Sequence, residues 1–338
     1  MEASQVGATI RVEDGDARQQ LFHARGIGQP SDDGAVELSW VEAAYLLERG
    51  DLESVAGLDA TGFIATATDP HALARLCVYR DLRERGYYLS TAFAPGEAVD
   101  TMDVVFDVKP RGATPTSTSV AHRVVVLPES VMFSVGALPA GTIAIVDDEA
   151  EVTYVTATSV EPEGDVSTPS VAVSGRLAGG RVLVEEPPDA MYHLGLFGHP
   201  VDEPEGDLWL NLLEARYLVE TGQLDMMNDT DIAHLGGEVE GEAFDSRYLV
   251  YRTLRDAGMV PRSGLKFGTD FRVYDALESA DNPGHSSLLV ETIHGSARLT
   301  PRVLSRAVRL ANGVRKRHVY AIVDSSQIRW ISVDRLRP

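Results

Sequence analysis

Cysteine is the residue that this sequence uses least. Of 338 residues only Cys77 is a cysteine, so the chain can form neither an internal disulfide bond nor a multi-cysteine metal site. No run of about 18 apolar residues is present, which excludes a conventional membrane-spanning helix. The first residues lack the basic start and apolar run of a signal peptide. These absences lead us to expect a cytoplasmic protein.

Lysine is almost as scarce. The chain has 30 basic residues, of which only those at positions 109, 266 and 316 are lysine, against 51 acidic residues and a formal net charge of -21. An acidic surface with little lysine is typical of halophilic proteins, because hydrated carboxylates keep the chain soluble while strong salt screens their repulsion. We therefore expect a halophilic protein.

The positive charge is concentrated at the C-terminal end. Residues 298–338 contain ten basic and two acidic residues. A local basic patch in an acidic protein is a good indication of nucleic-acid binding. Three of the arginines, Arg302, Arg306 and Arg309, follow the helix start Thr300-Pro301 and share one face of the predicted helix.

The sequence also repeats itself at an offset of 172 residues. The segment 42–53 returns as 214–225, and 75–83 returns as 247–255. Solenoid units span roughly 20–50 residues, so a period of this length indicates duplication of a domain-sized unit. In each copy we predict two capped helices followed by strands.

The second copy carries three residues suited to acid–base chemistry within a short interval. Tyr274 ends the segment GLKFGTDFRVY, His285 begins HSS, and Lys316 ends VRK. In their order and contexts these residues resemble the catalytic domain of the archaeal tRNA-splicing endonucleases. The resemblance is most specific over 264–338, and the duplicated layout is similar to the two-repeat, homodimeric branch of that family.

The resemblance implies cleavage of RNA through its own 2′-OH. Tyr274 would be the general base and His285 the general acid, a role that suits histidine because this residue type can change charge near neutral pH. Lys316 would stabilise the extra charge of the transition state. The resemblance further implies precursor tRNA as the substrate, cut at both intron boundaries within a bulge-helix-bulge structure. It implies 2′,3′-cyclic phosphate and 5′-OH ends, with no metal and no other cofactor.

The family also uses two arginines to sandwich a bulged base, which is a physically sensible way to read unpaired RNA. By position these would be Arg309 and Arg335, with Arg329 and Arg337 as alternatives for the second. We expect Arg302 and Arg306 to contact RNA as well.

An acidic loop in the first copy has the position of a docking element in this family. Asp147, Asp148 and Glu149 stand where the second copy has Asp324-Ser325-Ser326. The resemblance implies that this loop inserts into a basic cleft of a partner unit in a homodimer. An ordinary acidic turn on a halophilic surface is the alternative.

The expected fold is a tandem duplication of the α+β or α/β class. Each repeat is expected to have an N-terminal mixed α/β subdomain followed by a restriction-endonuclease-like α/β subdomain of catalytic type. The predicted segments are 1–68 and 69–160 for repeat 1, the second of these inactive, 161–174 for the linker, and 175–241 and 242–338 for repeat 2.

The first copy provides a test, because its counterparts of the catalytic residues differ. In our alignment Phe106 corresponds to Tyr274, Ala121 or His122 lies near the position of His285, and Pro139 falls against Lys316. The first copy therefore cannot perform this chemistry.

Two other classes of protein stay open at this stage. A metal-dependent nuclease could use Asp270 and Glu291, although the lysine that usually follows such a site two residues later is missing. A non-catalytic protein that binds structured RNA is the other alternative.

Overall fold

The computed structural model describes residues 1–7, 9–92, 102–201, 206–227, 230–277, 279–280 and 282–338. These residues form two compact units. Unit 1 comprises Met1–Thr158, Arg298–Arg306 and Asp334–Pro338, and unit 2 comprises Ser159–Ala297 and Ala307–Val333. Within these ranges no helix combines the length and apolar character needed to cross a membrane.

The N-terminal part of unit 1 is a five-stranded sheet covered by helices. Its strands are β1 (Glu2–Val6), β2 (Thr9–Val12), β3 (Gln29–Pro30), β4 (Val36–Leu38) and β5 (Ser54–Val55). The helices are α1 (Trp40–Glu48) and α2 (Ala60–Ile64), and Arg18–His23 form a π-helical turn. The strand order is β3-β4-β2-β1-β5.

The second part of unit 1 begins with helix α3 (Ala72–Glu84). Its strands are β6 (Leu89–Thr91), β7 (Val104–Val108), β8 (His122–Pro128), β9 (Phe133–Ser134), β10 (Gly141–Val146) and β11 (Val152–Ser159). Five of them are ordered β6-β7-β8-β10-β11, with β8 and β10 parallel. Helix α3 contacts β8 and β10, and β9 pairs with Arg298–Leu299.

Unit 2 repeats the first of these arrangements. Its N-terminal strands are β12 (Val173–Ala178), β13 (Arg181–Val184), β14 (His199–Pro200), β15 (Leu208–Leu210) and β16 (Leu224–Met226). The helices are α4 (Asp189–His193), α5 (Leu212–Glu220) and α6 (Ile232–Glu240). The order β14-β15-β13-β12-β16 corresponds strand by strand to that of unit 1.

The C-terminal elements repeat the second arrangement. They are α7 (Ala243–Asp256), β17 (Val260–Ser263), β18 (Phe271–Tyr274), β19 (Leu288–His294), β20 (Arg298–Leu299), α8 (Pro301–Gly313), β21 (Arg317–Asp324) and β22 (Gln327–Leu336). Strands β17-β18-β19-β21-β22 are neighbours in this order, with β19 and β21 parallel. The expected tandem α/β fold is confirmed.

Strand β18 separates the hydrophobic core from the candidate site. Phe271 and Val273 belong to the core cluster that includes Tyr251 of α7. Because successive side chains of a strand point to opposite faces, Arg272 and Tyr274 lie on the other face. Tyr274 there packs with Val260 of β17.

The segment between the repeats runs along unit 2 without regular secondary structure over residues 161–172. The amides of Gly164 and Val166 donate to the carbonyls of Ala257 and Gly258, each at 2.9 Å. A Cβ at Gly164 would lie 2.5 Å from the carbonyl oxygen of Gly258, so the close approach of these two segments of the chain requires glycine there.

Candidate active site

Three neighbouring strands of unit 2 bring the sequence-predicted catalytic residues to the same end of the sheet. Val273 is paired with Leu288, and Leu288 is paired with Arg317. Tyr274 directly follows Val273, and Lys316 directly precedes Arg317. The amide of Ser287 donates to the carbonyl of Val273 at 2.9 Å, so the loop that contains His285 enters the sheet beside Tyr274.

The side chain of Lys316 connects two of these positions. Its Nζ donates a hydrogen bond of 2.6 Å to the carbonyl oxygen of Ser286, the residue that follows His285. The Nζ also lies 5.8 Å from the centre of the Phe267 ring. Arg315 adopts a left-handed backbone with φ of 56°, which turns the chain sharply between the end of α8 and Lys316. Lys316 is therefore fixed against the His285 loop.

Tyr274 and His285 differ strongly in exposure. Tyr274 is 4% exposed and packs with Leu196 and Ala280, whereas His285 is exposed. The guanidinium carbon of Arg272 lies 5.8 Å from the centre of the Tyr274 ring. Arg272 was not among the sequence-predicted site residues, although its position two residues before Tyr274 on a strand could have indicated it.

Positive charge accumulates around this end of the sheet. Burial of the Lys316 side chain, and in second place the positive charge of Arg272, lowers the pKa of Lys316 below its ordinary value. Two cations thus lie on the side of the sheet that carries Tyr274, where an anionic phosphate would be attracted.

The arginines of α8 do not share one environment. The helix buries Leu304 and Ala311, and it exposes Arg306 and Arg309. Arg302, in contrast, makes a two-pronged ion pair with Glu129 of unit 1, with Nη2 to Oε1 at 2.6 Å and Nε to Oε2 at 3.2 Å. Arg302 would have to exchange this partner to bind RNA.

Arg335, the other candidate for stacking on a base, lies near the end of β22 and is exposed. The alternatives Arg329 and Arg337 lie on and just after the same strand. Arg329 is intermediate in exposure and has a partner, so it is less free to stack on a base than Arg335.

The acidic loop of unit 1 is a tight turn between β10 and β11. The Asp147 Oδ1 accepts hydrogen bonds from the amides of Glu149 and Glu151 at 3.0 and 2.9 Å. Asp148 and Glu149 are exposed. The carboxylate of Asp147 therefore shapes the loop, and the next two carboxylates face solvent.

The strand register of unit 1 corrects our alignment of the first copy. In repeat 2, Tyr274 is paired with Val260. The counterpart of Val260 at the offset of 172 residues is Tyr88, whose carbonyl oxygen accepts a hydrogen bond of 2.8 Å from the amide of Lys109. Lys109 therefore occupies the place of Tyr274. The alignment with Phe106 was wrong, because it relied on a local Val-aromatic-Asp match that the strand pairing does not follow.

The same register shifts the expected histidine position. Val108 is paired with His122 as Val273 is with Leu288, so His122 corresponds to Leu288. The loop position of His285 then falls near Ser119. Pro139 remains the counterpart of Lys316, because Val124 pairs with Thr142 as Val290 pairs with Val319.

The two carboxylates of the metal-nuclease alternative differ in their contacts. Asp270 accepts the amide of Thr292 at 2.7 Å through Oδ2 and pairs with Arg247 at 3.1 Å through Oδ1. Glu291 lies 3.4 Å from the Nε2 of His318. Among the residues that the structure describes, no three potential ligands from His, Cys, Asp and Glu come together.

These features define a duplicated α/β protein in which the second copy alone carries the Tyr-His-Lys arrangement. The model of the catalytic C-terminal domain of tRNA intron endonucleases matches residues 244–330, and the model of their N-terminal domain matches 1–65 and 173–235. The chain belongs to the tRNA intron endonuclease family. The family resemblance and the expectation of an enzyme are both confirmed.

The names of similar proteins support this family assignment. The tRNA-splicing endonuclease of Halobacterium salinarum is 44% identical over the full length of both chains. That of Natronomonas pharaonis is 42% identical over 95% of each chain, and that of Methanosarcina mazei is 33% identical over 95% of each chain. The relatives include proteins of halophilic archaea, as the composition led us to expect.

Proposed function

We propose that this protein excises introns from precursor tRNA by cutting both intron boundaries in a bulge-helix-bulge structure. The observation that carries the proposal is the convergence of Tyr274, His285 and Lys316 at one end of the sheet, inside the part of the chain that matches the catalytic domain. The RNA would be recognised by shape and by its unpaired bases.

Each of the three residues has one role in this reaction. Tyr274, in its deprotonated form, takes the proton from the 2′-OH, whose oxygen attacks the adjacent phosphorus and displaces the 5′-oxygen. His285 protonates the leaving 5′-oxygen, and its exposure lets it reach RNA bound outside the sheet. Lys316, held by the Ser286 carbonyl, stabilises the additional negative charge on the phosphate. The products are a 2′,3′-cyclic phosphate and a 5′-OH, and the reaction requires no metal.

The remaining predicted residues bind substrate or partner in this proposal. Arg309 and Arg335 hold a bulged base between their guanidinium planes, and Arg306 contacts the phosphate backbone. Arg302 also contacts RNA if its ion pair with Glu129 breaks. The protein acts in the cytoplasm as a homodimer, in which Asp148 and Glu149 dock into the partner.

The decisive experiment is incubation of an intron-containing precursor tRNA with the protein in the presence of a chelator, followed by analysis of the cut ends. We expect excision with cyclic phosphate ends. Cleavage that stops in the chelator would favour a metal-dependent nuclease, and binding without any cleavage would favour a non-catalytic RNA-binding protein.

Substitutions test the assigned roles. Tyr274→Phe, His285→Ala and Lys316→Ala should each lose most of the cleavage rate while retaining RNA binding, because each removes one reacting group and leaves the arginines in place. Single-turnover cleavage and filter binding measure the two properties separately. A near-wild-type rate in His285→Ala would contradict the assignment.

A further inference from the structure

A cavity of about 370 Å³ opens in unit 2 beside the strand that carries Tyr274. Its lining comes from strands β13, β14, β15, β17 and β18 and from helices α5, α6 and α7. Arg181, Trp209, Arg262 and Arg272 are among the lining residues. A volume of this size lies in the range of small-ligand sites, which begins at about 300 Å³.

Part of the wall is held by internal ion pairs. The Nη1 of Arg262 donates to the carbonyls of Leu196 and Gly198, both at 2.9 Å, and to Oε1 of Glu214 at 3.0 Å. Arg247 is likewise bound by Asp270 and Glu240. These two arginines are committed to the structure and are not available to a ligand.

Two other arginines of the cavity have no carboxylate partner within the described parts of the chain. Arg181 is exposed, and Arg272 has a buried Nε that makes no hydrogen bond there. Trp209 is partly exposed, and its cross-strand neighbour is His199. The cavity therefore combines an aromatic surface with four arginines against three carboxylates, Glu214, Glu240 and Asp270, an excess of one positive charge inside a chain with a net charge of -21.

The equivalent strand positions in unit 1 carry neither these arginines nor the tryptophan. Identical register places Glu37 at the position of Trp209, Gln29 at that of His199 and Thr9 at that of Arg181. Glu37 forms an ion pair with Arg11 at 3.8 Å.

On the neighbouring strands, Ser90 and Asp107 take the places of Arg262 and Arg272. The cations and the aromatic side chain are thus confined to the repeat that carries the Tyr-His-Lys set.

We propose that this cavity is an RNA subsite that binds one nucleotide next to the cleaved bond. The base stacks on Trp209, and the phosphate lies between Arg181 and Arg272. Arg272 links the subsite to the reaction centre, because its guanidinium carbon is 5.8 Å from the Tyr274 ring and its charge acts on Lys316. The inference rests on the proposed function.

The test measures the affinity of the full-length protein for an intron-containing precursor tRNA in a His285→Ala background, in which the RNA stays intact. Arg181→Ser and Trp209→Ala should each weaken binding about tenfold, and Trp209→Phe should largely restore it. Arg181→Ser should also reduce the slope of log affinity against log salt by about 1. Arg176→Ser is the matched control, because Arg176 is an exposed arginine on the adjacent strand β12 that pairs with Glu185 outside the cavity.

The outcomes separate the two proposals. If the protein with His285 intact does not cleave the RNA, the proposed function fails and the subsite fails with it. If it cleaves, but Arg181→Ser and Trp209→Ala bind as tightly as Arg176→Ser, only the subsite is overturned. Since Arg181 is exposed and supports no core contact, its variant remains informative even if Trp209→Ala does not fold.

Discussion

Lys316 shows how one side chain can depend on a neighbour that the sequence pattern did not indicate. Its Nζ donates a hydrogen bond to the carbonyl oxygen of Ser286, and the like charge of Arg272 helps to lower its pKa. The protonated ammonium is the form that can stabilise an anionic transition state. In the proposed mechanism, anything that lowers the pKa of Lys316 therefore limits the pH range of the reaction from the alkaline side.

This dependence predicts a pH profile. Cleavage at saturating RNA should decline on the alkaline side below the ordinary pKa of lysine, because burial and Arg272 lower the pKa of Lys316. Arg272→Gln removes one of these causes and should move the decline to higher pH. Single-turnover rates across the pH range measure the shift, and Arg176→Gln is the control. An unchanged profile in Arg272→Gln would contradict the coupling.

At the scale of single residues, the sequence supplied the Tyr-His-Lys set but not its surroundings. Order and local context were enough to single out Tyr274, His285 and Lys316. Arg272 was missed although its spacing from Tyr274 on the same strand could have indicated it. Trp209 was missed because its relation to the site comes from strand pairing, which brings together residues distant in the chain. Local motifs do not contain that information.

At the scale of secondary-structure elements, helices α1 and α5 begin in the same way but differ in one contact of a buried glutamate. Both start with a capping box, formed by Ser39 with Glu42 and by Asn211 with Glu214. Both glutamates are nearly fully buried. Only Glu214 has an additional guanidinium partner, Arg262, at 3.0 Å.

The comparison predicts unequal losses of stability. Glu214→Ala should reduce the free energy of unfolding of its unit by about 3–5 kcal/mol, because it leaves Arg262 without its countercharge. Glu42→Ala removes hydrogen bonds to the amides of Ser39 and Gly28 and should cost about 1–3 kcal/mol. Denaturant unfolding of both variants measures the difference. Equal losses would show that the ion pair between Arg262 and Glu214 adds no stability.

Helix α8 illustrates what could be predicted about elements. The Thr300-Pro301 start agrees with the observed range Pro301–Gly313. Unit 1 has only the three-residue turn Val135–Ala137 in the corresponding stretch. Helix α6 was not predicted, because two consecutive glycines, Gly236 and Gly237, interrupt an otherwise short apolar pattern.

For the molecule as a whole, the acidic loop is the feature that concerns assembly. Asp148 and Glu149 are exposed on a turn that Asp147 holds rigidly in place. A preformed loop loses little conformational freedom on docking, which favours its use at an interface. The homodimer nevertheless stays a prediction.

Charge reversal tests this prediction. Asp148→Lys should weaken the dimer, because it places a cation against a basic partner surface, and Asp147→Lys should do so more strongly, since it also removes the acceptor that shapes the turn. Light scattering gives the mass, and cleavage assays give the rate. Asp32→Lys, an exposed acid on another turn of unit 1, is the control. An unchanged mass and rate in both loop variants would exclude the docking role.

The replacement of Tyr274 by Lys109 in unit 1 has a consequence for the order of events on the RNA. In the proposed mechanism, a chain with one reaction centre makes one incision per binding event, so two junctions call for two chains. In an equal mixture of wild-type and His285→Ala chains, mixed dimers would then release RNA cut at a single junction, still attached to its intron. The absence of the catalytic tyrosine from the first repeat would thus make intron removal depend on two chains, and the RNA cut at one junction could be isolated and its length measured.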